Sequence, residues 1–130
     1  MRLKTIIAAS TLAATGVVGA ASQSASAICG VELELHNLSV NDVTVDFADS
    51  DVRQQPPGAP APGPWTQLGN FSTTIAGGDI INAGFFVPGG CNNVDRQYRL
   101  EVNQNGVASF VLFPGVGIFT QDRTPHIHVA

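Results

Sequence analysis

Beyond Lys4 the 130-residue chain has no lysine, and only 12% of all its residues are charged. It holds two cysteines, one tryptophan, one tyrosine and a single methionine, the initiator. No stretch shows the 3.6-residue apolar period over the ten or more positions that a helix requires. The Ala-rich N-terminal run is too short and too interrupted, by Gly16 and Gly19 among others, to span a bilayer. A Gly-x-Ser-x-Gly nucleophile elbow is missing. So is a glycine loop opening a helix that would cradle phosphate; Gly77-Gly78 and Gly89-Gly90 lack that helix. With no histidine soon after Cys91 and no methionine past Met1, the ligands of a blue-copper centre are missing as well. There is no repeat of fixed period. These absences exclude helical folds, the common hydrolases and nucleotide-binding proteins.

What is present begins with compartment. Arg2 and Lys4 form a positive start, Thr5 to Ala21 a weakly apolar run, and Ala25 and Ala27 the small residues a signal peptidase needs. Residues 1–27 therefore read as a secretory signal peptide with cleavage after Ala27. Ile28 before Cys29 argues against lipid attachment. Residues 28–130 are then a single domain, secreted or held in the cell envelope. Removing Arg2 and Lys4 leaves four arginines against ten carboxylates, a formal charge of −6. That acidity disfavours nucleic acid and anionic membranes as partners, and no membrane insertion is expected.

In an oxidising compartment Cys29 and Cys91 are first a disulfide. Closing a loop of about 60 residues contributes roughly 4 kcal/mol in the chain-entropy view.

Strand signals then follow one another. Val31, Leu33 and Leu35 alternate with Glu32, Glu34 and His36; Val43, Val45 and Phe47 alternate with Asp42, Thr44 and Asp46. Both are half-buried strands by their period of two, and the short polar turn between them predicts antiparallel neighbours. From Ala48 to Pro64 the pattern stops in a proline-rich, polyproline-like loop. Strand character returns at 65–75, 79–87 and 97–103. Asn105-Gly106 then signals a tight hairpin with Val107 to Phe113 as its return strand. Ile118–Thr120 and Ile127–Ala130 add edge strands. Seven or eight short strands in about 100 residues predict an all-β, antiparallel immunoglobulin-like or fibronectin-like β-sandwich with one disulfide.

Candidate sites are few. His126 and His128 lie two apart on a strand, so both imidazoles share one side and can share an ion. His36 and Tyr98 are the remaining residues that could join them. Asp46, Asp49 and Asp51 crowd a strand end with oxygen ligands that suit calcium, although the glycine and final glutamate of an EF-hand are missing. Glu32 and Glu34 stand about 7 Å apart on one strand face. They flank no substrate cleft, so they do not make a glycosidase pair. Trp65, with Pro60, Pro62 and Pro64 before it, forms a stiff loop that can present a binding anchor. As the single tryptophan, Trp65 fits a place in the core between the sheets better than an exposed site. The sequons at Asn37 and Asn70 are taken as chance matches.

Together these readings predict a non-catalytic binding protein with no cofactor, whose partner is another extracellular or envelope protein. A self-associating adhesin or matrix subunit is one alternative. The other is a secreted protease inhibitor that uses the proline loop.

Overall fold

The computed structural model describes Leu3–Ile7 and residues 27–130. Apart from Leu3–Ile7 and Ala27, the segment assigned to the signal peptide lies outside the described residues. The described residues form strands and no helix. In chain order the strands are β1 (Leu3–Ile7), β2 (Ile28–His36), β3 (Val43–Gln55), β4 (Thr66–Gln67), β5 (Ser72–Ile75), β6 (Ile80–Pro88), β7 (Asp95–Gln104), β8 (Val107–Phe113) and β9 (His126–His128). One sheet runs β1-β6-β2-β9; the other runs β4-β3-β7-β8, with β5 also paired to β3. The expected antiparallel arrangement holds throughout the second sheet only: in the first, β1 pairs with β6 and β9 with β2 in parallel, because each reaches its neighbour by a long connection and not a hairpin.

The alternation in the sequence decides which side of each strand is buried. In β2, Cys29, Val31, Leu33 and Leu35 are buried, while Glu32, Glu34 and His36 point away from the core. Ile81, Ala83, Phe85 and Val87 do the same in β6. From the other sheet Val43, Val45 and Phe47 of β3 and Tyr98, Leu100 and Val102 of β7 join them in one core cluster. The Phe47 and Phe85 rings meet across the two sheets with centroids 4.8 Å apart, and Phe71 packs on both. The molecule is thus a two-sheet, sandwich-like all-β structure. Such packing supplies most of the stability, since burying each large apolar side chain contributes about 1.5–3 kcal/mol.

Three features differ from the sequence expectation. First, β2 and β3 are not neighbours: β2 pairs with β6, and β3 belongs to the other sheet. The turn between them is a corner organised by Asn37. Its buried amide nitrogen donates to the Asn41 and Ile75 carbonyls, while its side-chain oxygen accepts from the Ser39 N–H. That corner needs Gly77, because a Cβ there would drive into the Val40 carbonyl. Asn37 is also fully buried, so its sequon is not an accessible glycosylation site.

Second, β3 does not stop at Phe47 but runs on to Gln55. A register shift between Asp46 and Asp51 interrupts its pairing with β7 and disguises the alternation. Such bulges add an unpaired residue and reset which face each side chain takes. Third, the proline segment is not extended throughout. Pro56–Ala59 is a turn closed by the Ala59 N–H on the Pro56 carbonyl. Pro57 supplies the fixed φ, and Gly58, at φ 83°, the positive one, as a type II turn demands.

Other expectations hold. Cys29 and Cys91 form a disulfide, which suits a non-reducing compartment. Asn105 and Gly106 both take positive φ, 55° and 79°, and Gln104 pairs with Val107 across them. Among the described residues no helix is long and apolar enough to cross a membrane.

Candidate functional site

β8 closes one end of the second sheet, so one side of its backbone has no strand partner among the described residues. Its seven residues, Val107-Ala-Ser-Phe-Val-Leu-Phe113, include no charge and no proline. Natural edge strands are usually blunted by a lysine, a proline or a bulge, because a row of free N–H and C=O groups invites another strand. Here nothing blunts it. Val107 is 67% and Phe110 58% exposed, and beyond the strand Val116 and Ile118 are exposed too.

The outward face next to that edge is built by register. Asp51 of β3 faces Arg99 of β7, and Arg53 faces Gln97. Arg99 donates to the Asp51 carboxylate at 2.7 Å, and Arg53 donates through Nε to Gln97 Oε1 at 2.9 Å. Trp65, half-buried just before β4, stacks on both guanidiniums. Arg53 Cζ is 4.5 Å and Arg99 Cζ 4.2 Å from its ring centroid. Arg99 also reaches Phe110 at 5.9 Å, and Arg53 reaches Phe119 at 5.6 Å. Trp65 is therefore not the core tryptophan of the sandwich. It is the centre of a cation–aromatic face, and each such contact contributes about 0.5–1 kcal/mol at an exposed site.

The three prolines expected to act with Trp65 divide. Pro64 lines a cavity of about 280 Å³ with Val52, Gln54, Pro56, Pro88 and Arg96, and Pro60 and Pro62 stand outside it. The loop is tied back by the Gly63 N–H on the Gln54 carbonyl, 2.7 Å, and by Gln55 Nε2 on the Ala59 carbonyl, 2.9 Å. Between those ties Pro56, Pro57, Gly58, Pro60 and Ala61 are exposed.

Arg96, in the lining of that cavity, is 2% exposed and, among the described residues, has no carboxylate in hydrogen-bond reach. Its Nη2 donates instead to the carbonyls of Pro88, Gly89 and Gly90, at 3.1, 3.4 and 2.7 Å. Burial lowers its pKa, with partial relief from Tyr98. The guanidinium organises the turn that delivers Cys91 to Cys29, so its role is structural.

No family model, curated protein or solved structure matches this chain.

The remaining expected site residues are placed as follows. His126 and His128 flank buried Ile127 in β9 and both side chains are exposed, on one side of the strand as the spacing required. His36 joins them from β2. Asp46 and Asp49 come together with Glu101 rather than with Asp51, which Arg99 engages. The carboxyl of Glu101 is held above its ordinary range by desolvation first, then by the charge and hydrogen bond of Asp49 and the charge of Asp46. A cluster of three carboxylates on a strand surface does not by itself make a calcium site. Glu32 lies beside Gly84 and Glu34 beside Asn82; Glu32 lines a surface cavity of about 480 Å³ with Phe86 and Arg123, and Glu34 is not part of that lining.

Arg53, Arg99 and Phe110 were not anticipated as site residues. Their outward parity was readable in β7, where Arg99 alternates with Tyr98 and Leu100. In β3 the bulge hid it, and no local signal says that Trp65 would fold onto those arginines.

Proposed function

We propose that this chain is an exported, non-catalytic binding protein that receives an extended segment of a partner protein along β8, with the Trp65–Arg53–Arg99 face as the adjoining anchor. The observation that carries this reading is the uncharged, unblunted edge of β8. Strand addition to an open edge gains affinity from main-chain hydrogen bonds, while side-chain pockets next to it give selectivity. Phe110, Trp65 and Arg99 are of the residue types that dominate binding energy in protein interfaces. Trp65 is stacked on two guanidiniums, so less side-chain freedom is left to lose on association. The immunoglobulin-like assignment of the sandwich, and secretion or residence in the envelope, belong to the same proposal. The disulfide and the acidic surface support it.

The test immobilises the purified chain and exposes it to the source organism's envelope fraction and culture supernatant. A protein retained by the native chain and lost on Phe110→Lys or Ser109→Lys, with melting temperature unchanged, supports docking at β8. Retention that survives both substitutions places binding elsewhere and overturns this site. Because the same edge can pair with a second copy, light scattering across concentrations distinguishes self-assembly: growth in mass abolished by Phe110→Lys identifies a matrix or adhesin subunit.

A further inference from the structure

The parallel pairing of β9 with β2 has a chemical outcome on the opposite side of the molecule. Register places Glu34 beside His126, Leu35 beside Ile127 and His36 beside His128. Leu35 and Ile127 are fully buried. Because side chains alternate across a strand, the flanking residues of both strands emerge together on the outer face of the first sheet. Glu34, His36, His126 and His128 thus occupy the corners of one square, and the chain has no other histidine.

The square is already partly drawn together. His36 Nε2 lies 2.7 Å from Glu34 Oε2, and His126 Nε2 lies 3.5 Å from the other carboxylate oxygen. Donor atoms of Glu34, His36 and His126 all fall within 4.8 Å of one another. The His36 ring centroid is 5.7 Å from that of His126 and 5.4 Å from that of His128. Tetrahedral ligands at about 2.0–2.1 Å from an ion stand roughly 3.3 Å apart. Small side-chain rotations close the first three onto a common point, and rotation of the exposed His128 side chain supplies the fourth.

We infer that Glu34, His36, His126 and His128 form a binding site for a late first-row divalent metal ion of the zinc–copper class. The donor set selects that class. Imidazole nitrogen suits Zn²⁺, Cu²⁺ and Ni²⁺, whereas Ca²⁺ and Mg²⁺ prefer all-oxygen shells. One carboxylate offsets part of the ion's charge while the three imidazoles stay neutral. The ligands come from an outer face and not from the core, so the ion would be exchangeable rather than a fold-determining staple. The inference does not depend on the reading of β8, which lies in the other sheet.

The experiment uses the full chain without a histidine tag, stripped with EDTA. It is titrated calorimetrically with ZnCl₂, CuCl₂ and, as a control, CaCl₂. One Zn²⁺ or Cu²⁺ per chain is expected, with a raised melting temperature and no response to Ca²⁺. His36→Ala, and separately Glu34→Gln, should each weaken binding by roughly tenfold or more, and His126→Ala should do the same. Melting of each variant in EDTA checks that it is folded. The electron paramagnetic resonance spectrum of the Cu²⁺-loaded native chain counts coordinated nitrogens without any variant; three are expected. The inference is overturned if neither ion binds with a one-to-one endpoint. It also falls if only two nitrogens couple, or if affinity survives loss of His36 and Glu34, which would reduce the site to chelation by the His126-x-His128 pair.

Discussion

The two outer faces of this sandwich rest on one core and carry opposite chemistry. Outward positions of β2 and β9 hold two glutamates and three histidines. Outward positions of β3 and β7, with Trp65 laid over them, hold arginines stacked on an aromatic ring. Both sets sit at the polar phase of the same period-two alternation, where packing does not dictate residue type. What they share is assembly by non-local register. The square needs β9 parallel to β2, and the cation–aromatic face needs β3 and β7 in register beyond a bulge. The difference lies in the edges. β9 ends its sheet with only three residues, two of them polar, whereas β8 ends the other with seven uncharged ones. The first face is suited to an ion and the second to a chain.

The comparison can be tested by perturbing what the faces share and then what they do not. The largest effect is expected from opening the disulfide. Cys29 lies near the start of β2, and Cys91 lies in the connection from β6 to β7, so the bond pins the link between the two sheets onto the first of them. Replacing both cysteines by serine should cost about 2–5 kcal/mol in urea unfolding and weaken both faces in parallel. A loss confined to one face would show that the sheets do not share a cooperative unit. Leu33→Ala, at a fully buried position midway along β2, should cost about 2–5 kcal/mol with the same joint outcome.

A smaller effect depends on pH. Burial raises the Tyr98 hydroxyl from 10.0 to about 12, with Arg96 opposing and Asp122 adding to the shift. Below pH 10 the phenol is protonated in folded and unfolded chains alike, and its contribution is complete. Between pH 10 and 12 only the unfolded chain releases the proton, so stability falls by about 2–3 kcal/mol as the pH rises through that window. Chemical denaturation at pH 9 and pH 12 should show the drop. Tyr98→Phe should remove this part of it at little cost, because the hydroxyl is buried without a hydrogen-bond partner. An unaltered pH slope in that variant would contradict the assignment.

The smallest effect belongs to the cation–aromatic face. Arg53→Ala and Arg99→Ala should each change stability by about 1 kcal/mol or less but shift the fluorescence of Trp65, the only tryptophan. His36→Ala should leave that emission unmoved. Emission that responds to the histidine variant would mean that the two faces communicate through the core.

Much of the architecture was legible in the residues. Alternation at Val31-Leu33-Leu35, at Tyr98-Leu100-Val102 and at Val43-Val45-Phe47 correctly placed the buried faces. Asn105-Gly106 announced its turn because positive φ at two successive positions leaves few other residues possible. The cysteine pair was readable from number and compartment. What could not be read was which strand lies beside which. His36 shares the outward parity of Glu34, yet nothing local brings residue 126 beside residue 34. The corner at Asn37 sends β3 into the other sheet by buried side-chain hydrogen bonds, which no periodicity reports. The β3 bulge shifted the phase, so Arg53 could not be assigned a face and 48–55 resembled a loop.

One more consequence follows from the way β9 meets β2. The two strands run in the same direction, joined by the Glu32 N–H to the Arg123 carbonyl, Glu34 to Pro125, Val129 to His36 and Leu38 to Ala130. A tether pulling residue 28 backwards and residue 130 forwards would load these bonds together in shear instead of opening them one at a time. Resistance to such a pull is set by the unfolding rate. Once the seam slipped, the disulfide would withhold the stretch between its cysteines, which stand 62 positions apart. Only about 40 residues, roughly 14 nm of chain, could then extend. Oxidised and reduced molecules would therefore differ in their reach under load, even where they bind the same partner.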